Sequence, residues 1–151
     1  MFTTVRYFVK TSIIFLIVGI LTGLYMSFSK FVLHSFYTQE LVSAHTHIIL
    51  VGSVMMMIMG VALWFFPRAE KNDKKYNPDL IRITYWIMAI ATALRFISQS
   101  ISGFIFIDWL NVMVTVTSTF QVLAIIIFFY SIWGRIRAVG SQYREAKGEK
   151  F

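Results

Sequence analysis

Cysteine is absent from the 151 residues, which excludes disulfides, thiolate metal sites and haem attached through cysteine. Polar surface is scarce as well: 58% of the residues are hydrophobic and the mean hydropathy is +0.70. A soluble domain could not cover itself with so little polar material. No low-complexity segment and no internal repeat is present. Histidine is rare, with three copies, and two of them share the string Ala44-His45-Thr46-His47. That string heads an apolar run closing at Phe65-Phe66-Pro67-Arg68. An imidazole at membrane depth is costly unless something binds it, so the pair is the first place to look for function.

Crossing a hydrocarbon core takes about 20 mostly apolar residues. Four runs qualify, at about 11–35, 44–66, 82–105 and 109–134, which predicts one all-α domain over residues 1–151 with four helices embedded in a lipid bilayer. Arg6 and Lys10 precede the first run, which lacks a small-x-small cleavage site and so reads as a retained helix that also directs insertion. The net charge of +7 is patterned. Two basic residues precede the first run; Arg68, Lys71, Lys74, Lys75 and Arg82 lie between the second and third; Arg135, Arg137, Arg144, Lys147 and Lys150 follow the fourth. These are twelve of the fourteen basic residues, all on one side. Such a pattern orients a membrane protein and needs no nucleic acid to explain it. It predicts cytoplasmic N- and C-termini, an outer loop around 36–43 and an outer turn near 104–108, with His45 and His47 close to the outer face.

Other features have ordinary readings. Gly19 and Gly23 form a GxxxG pair that admits a neighbouring backbone or a flat ligand. The loop Ala69 to Pro78 is a solvated hairpin, with Asn77-Pro78-Asp79 turning into the third helix. Met55, Met56, Met57 and Met59 read as adaptable packing in preference to copper ligands, since consecutive residues point in different directions. Asp108 and Trp109 mark an interface, and His34 suits the headgroup layer. Arg95, midway along a helix, requires a partner of some kind.

Residues two apart on an α-helix point about 200° apart. His45 and His47 therefore cannot grip one ion from the same side, and each faces its own groove. Gly52 and Gly60, seven and fifteen residues beyond His45, return to roughly the His45 face, leaving a slot for the edge of a flat ligand.

The stretch from Ala44 to Arg68, with the two histidines, Gly52, Met57, Gly60 and the closing Pro67-Arg68, resembles a histidine-bearing helix of subunit I in the haem-copper oxidase and nitric oxide reductase superfamily. It is most similar to the late helix with two histidines in the C-family oxidases. That subunit arranges twelve helices as three pseudo-equivalent four-helix arcs, each with ligands near the outer end of its second helix. The resemblance implies that this chain corresponds to one arc and that three copies rebuild the ring as a homotrimer. It further implies a b-type haem in each groove, with iron held by His45 of one protomer and His47 of its neighbour. Arg95 with Gln99, or Lys30, would meet the propionates.

The third and fourth helices lack the histidines that a second metal would need, so a complete oxidase or nitric oxide reductase is not expected from this chain alone. The expectation is a b-type cytochrome of a prokaryotic cytoplasmic (inner) membrane that passes single electrons to a redox partner the sequence does not identify. Two other readings stay open: a haem-based module that binds or senses nitric oxide or oxygen, and a haem-free accessory subunit of a respiratory complex.

Overall fold

The computed structural model describes residues 2–66, 78–136 and 140–148. Among them every regular element is helical: α1 (Phe2–Phe31), α2 (Gln39–Phe65), α3 (Pro78–Ser102), α4 (Asp108–Ile132) and a short α5 (Ser141–Glu145). The first four are each long and apolar enough to cross a membrane, as the hydropathy pattern predicts. Pro67-Arg68 and the loop from Ala69 to Asn77, with Lys71, Lys74 and Lys75, lie outside the described residues. Pro78 opens α3, where its missing N–H costs nothing.

Several boundaries differ from expectation, among them α3, which runs from Pro78 to Ser102 against the predicted 82–105. Helix α1 starts at Phe2 and takes in Arg6 and Lys10, because long cationic side chains on a terminal turn can reach water while their stems stay on the helix. It ends at Phe31, short of the predicted 35. His34 has a left-handed backbone (φ 50°). Ser35 then turns back, its N–H 3.0 Å and its hydroxyl 3.3 Å from the Ser29 carbonyl, which covers an acceptor the helix end leaves open. Helix α2 begins at Gln39, five residues before the predicted 44, after an extended Thr38. Glu40 in its first turn suits the positive end of the helix dipole. The histidines thus sit inside α2 and do not open it.

Within α2, residues Ile48–Met55 form a π-helical stretch, and α-helix resumes over Met56–Phe65. Each π turn holds more residues than an α turn, so everything beyond Ile48 is rotated relative to the histidines. Nothing in the apolar run announced this.

Each crossing helix packs on its chain neighbours, and α1 also touches α3. Four spans leave both chain ends on one side of the bundle, here termed the terminal end; Gly103 to Ile107 and residues 32–38 lie at the opposite, loop end. The core is concentrated toward the terminal end, where Phe8, Met56, Met59, Leu63, Met88 and Phe128 are less than 2% exposed. Phe8 meets the edges of Tyr85 (5.2 Å) and Phe128 (6.0 Å), separations favourable for aromatic pairs. The Thr11 and Tyr85 hydroxyls lie 2.8 Å apart, so the polar tip of Tyr85 is satisfied from α1. Met56 and Met59 lie in this core and Met57 faces the Ser12 hydroxyl at 3.7 Å, an arrangement of packing and not of ligation.

Candidate functional site

His45 is held by α1. Its Nδ1 is 2.9 Å from the Gly19 carbonyl, and a Cβ on Gly23 would lie 2.8 Å from His45 Cε1. The imidazole therefore rests on bare backbone, and the GxxxG pair is where α2 approaches α1. Gly19 shows the same closeness, with a Cβ there only 2.4 Å from Ile49 Cγ1.

His47 is held from its own helix and, through it, from α3. Its Nδ1 is 2.8 Å from the Ser43 carbonyl and 3.4 Å from Ser43 Oγ. Gln99 Nε2 donates to that same hydroxyl at 2.9 Å. Gly103 lies close by in the fold, since a Cβ on it would fall 2.7 Å from Thr38 Oγ1. The two imidazoles thus face different neighbours, α1 and the α3 side, as their spacing on an α-helical turn requires. Both stay half-buried.

A carbonyl oxygen can only accept, so in each ring Nδ1 carries a proton, which in the neutral imidazole leaves the lone pair on Nε2. The tautomer is assigned here from the bonding partner. An Nδ1–H bound to a backbone carbonyl is the arrangement that orients an imidazole for ligation through Nε2.

Arg95 and Gln99 occupy the same face of α3, one turn apart. Arg95 Nη1 donates to Gln121 Oε1 of α4 at 2.9 Å, and Gln121 Nε2 donates to Thr92 Oγ1 at 2.9 Å. Arg95 Nε and Gln99 Oε1 are both buried without a hydrogen-bond partner. In the four described spans the acidic residues Glu40, Asp79 and Asp108 all sit in first turns, so no carboxylate reaches Arg95 at its depth. Leaving such groups unpaired inside hydrocarbon is costly.

The slot expected beside Gly52 and Gly60 is filled by this chain's own side chains. A Cβ on Gly52 would lie 2.7 Å from Thr92 Cγ2 and 3.0 Å from Phe15 Cδ2; one on Gly60 would lie 3.0 Å from Phe8 Cβ. These glycines bring helices together. The π stretch contains Gly52 and precedes Gly60, so an argument from regular α-helical angles did not carry through it. Lys30 lies over the Phe31 ring, 5.4 Å from its centroid, and lines an outer groove with His34 and Tyr37, apart from the histidine pair.

Ser43, Thr92 and Gln121 were not singled out from sequence as site residues. Ser43 precedes His47 by one helical turn, a signal that could have been read. Its partner Gln99 is 56 residues away, which no local pattern reveals. Among the described residues no group of three or more His, Cys, Asp and Glu side chains could hold a metal ion.

The family model for cytochrome c and quinol oxidase polypeptide I matches residues 1–136. It thereby extends the likeness from the stretch around the histidines to most of the chain, at the level of oxidase subunit I and not of any one branch. No curated protein and no solved structure matches the chain.

Proposed function

The chain belongs to the family of cytochrome c and quinol oxidase polypeptide I, and from that premise we propose that it is a membrane-embedded b-type cytochrome whose haem is shared between neighbouring protomers. His45 of one copy and His47 of the next would hold the iron through Nε2. Two ligands that diverge on one helix generate a head-to-tail contact that can close by rotation, and the resemblance to the three arcs of oxidase subunit I implies that three copies close the ring. The membrane is a prokaryotic cytoplasmic membrane, with the terminal end inside, where the basic residues cluster.

The observation that carries this reading is the paired commitment of Nδ1, at 2.9 Å in His45 and 2.8 Å in His47, to two backbone carbonyls on different sides of α2. Imidazoles serving only as headgroup contacts would not need both ring orientations fixed from below.

The donor set suits the group. Arg95 Nε, a buried donor lacking an acceptor, fits a propionate carboxylate. Gln99 fits this role less well: its orphaned atom is an acceptor, the wrong polarity for a carboxylate, and one of its two amide N–H groups is committed to Ser43. Gln99 instead belongs to the support of His47. When bound, the haem would supply a one-electron iron couple, and with both His45 and His47 as its ligands it would suit electron transfer to a separate redox partner.

The test is purification in mild detergent, oxidised and dithionite-reduced visible spectra, and a pyridine haemochrome assay for haem per chain. Sharp low-spin b-type bands, one haem per chain and no change on adding carbon monoxide are expected. A carbon monoxide shift would move the assignment to gas binding. A colourless protein after haem-supplemented expression would leave a haem-free accessory subunit.

A further inference from the structure

We propose that the groove between the first turns of α1 and the end of α2 is a binding site for one anionic phospholipid. It has a volume of about 390 Å³ and is lined by Val5, Arg6, Val9, Lys10 and Trp64. The site does not involve the histidines and stands whether or not haem is bound.

The argument starts from helix spacing. Arg6 and Lys10 are four residues apart, as are Val5 and Val9, so the two cations stack on one edge of α1 and the two valines beside them on the adjoining edge. On α2, Gly60 and Trp64 are also four apart. Gly60 lets the two helices close: a Cβ there would lie 3.1 Å from Val9 Cγ2. One turn further on, the same face of α2 carries Trp64 toward α1, yet its indole stays 69% exposed. The fold therefore builds a trough with aliphatic and indole walls and a rim of two exposed cations.

Depth and charge identify the occupant. The α1 span of 29 residues is about 43 Å long, against a hydrocarbon core of about 30 Å. Its first turns consequently reach the headgroup layer, where tryptophan also prefers to lie. No residue lining the groove is acidic, so two positive charges about one helical turn apart face an apolar trough without a carboxylate in it. A phosphodiester matches this: Arg6 offers a two-pronged donor and Lys10 a point charge, while an acyl chain covers Val5, Val9 and Trp64. A net negative headgroup is required because a zwitterionic lipid brings its own cation to the same rim.

The test compares the full chain reconstituted in nanodiscs of phosphatidylcholine with and without phosphatidylglycerol, then released and read by native mass spectrometry for retained lipid. The wild type should retain one phosphatidylglycerol preferentially. Arg6→Gln with Lys10→Gln should lower that retention about 25-fold, the combined worth of two cations beside an anionic lipid. Arg82→Gln with Lys147→Gln removes the same charge from the same end and should leave retention unchanged. Trp64→Ala, which keeps both cations, should weaken retention by a smaller factor. Equal retention of phosphatidylcholine, or equal losses in the two double variants, would overturn the site in favour of a diffuse surface potential. All four substituted cations and Trp64 are exposed, so size-exclusion profiles should be unaltered.

Discussion

The two ends of this bundle are built from different materials. At the terminal end, Phe8, Met56, Met59, Leu63, Met88 and Phe128 pack on one another, the Thr11 and Tyr85 hydroxyls pair off, and Ser131 Oγ is buried without a hydrogen-bond partner. Toward the loop end, the helices meet through His45, Ser43, Gln99, Arg95, Gln121 and Thr92, and three buried polar atoms, Arg95 Nε, Gln99 Oε1 and Ser100 Oγ, have no hydrogen-bond partner. In a bilayer an apolar side chain gains little by leaving lipid for protein, so close packing and interhelical hydrogen bonds hold helices together. The terminal end uses the first of these. The loop end relies on the second, with hydrogen bonds that join α2 to α1 and α3, and α3 to α4.

The sharpest division between the ends is expected from His45→Ala and His47→Ala. Each should reduce haem per chain to the background of the pyridine haemochrome assay, because both sides of the iron are needed, while the protein still purifies as a folded species. Full haem in either variant would end the shared-ligand assignment. Phe8→Ala should do the reverse. It opens a cavity in the terminal core and should lower stability by about 1–3 kcal/mol, the packing share of a core truncation when lipid replaces water as the reference. Thermal unfolding in detergent measures this, and haem per folded chain should not change.

Gln99→Leu tests a smaller effect at the loop end. Losing the donor to Ser43 loosens the support of His47, and haem affinity should fall about 10- to 100-fold, as for other partners standing behind a ligand. An unaltered affinity in haem titration would remove Gln99 from the site. Gly52→Ala is the mildest, because the new methyl must displace the Thr92 methyl and the Phe15 ring. A loss of about 1–2 kcal/mol in stability is expected from overpacking, with haem content retained. Haem loss without destabilisation would instead restore the glycine to a ligand slot.

The angular divergence of His45 and His47 was legible because it depends only on α-helical geometry over three residues, and α2 is α-helical up to His47. The same reasoning failed at Gly52 and Gly60, since it extrapolated one geometry across a stretch that changes to π. Arg95 was recognisable as a residue in need of a partner, but the partner, Gln121, is 26 positions away on another helix. The glycine pair in α1 signalled a close approach. What approaches it, the imidazole of His45, was not readable from the pair alone.

Composition and local spacing by themselves determined that this chain spans a membrane four times, that its basic residues collect at one end, and that its two clustered histidines diverge. Each follows from hydrocarbon thickness, charge placement or the pitch of a single helix. The tertiary structure alone decided which carbonyl fixes each imidazole, that Gly52 and Gly60 close helix contacts, and that Arg95 keeps an unmatched donor. Those outcomes depend on which side chains meet from helices distant in sequence, and on one change of helical geometry that rotates half of α2 against the other half.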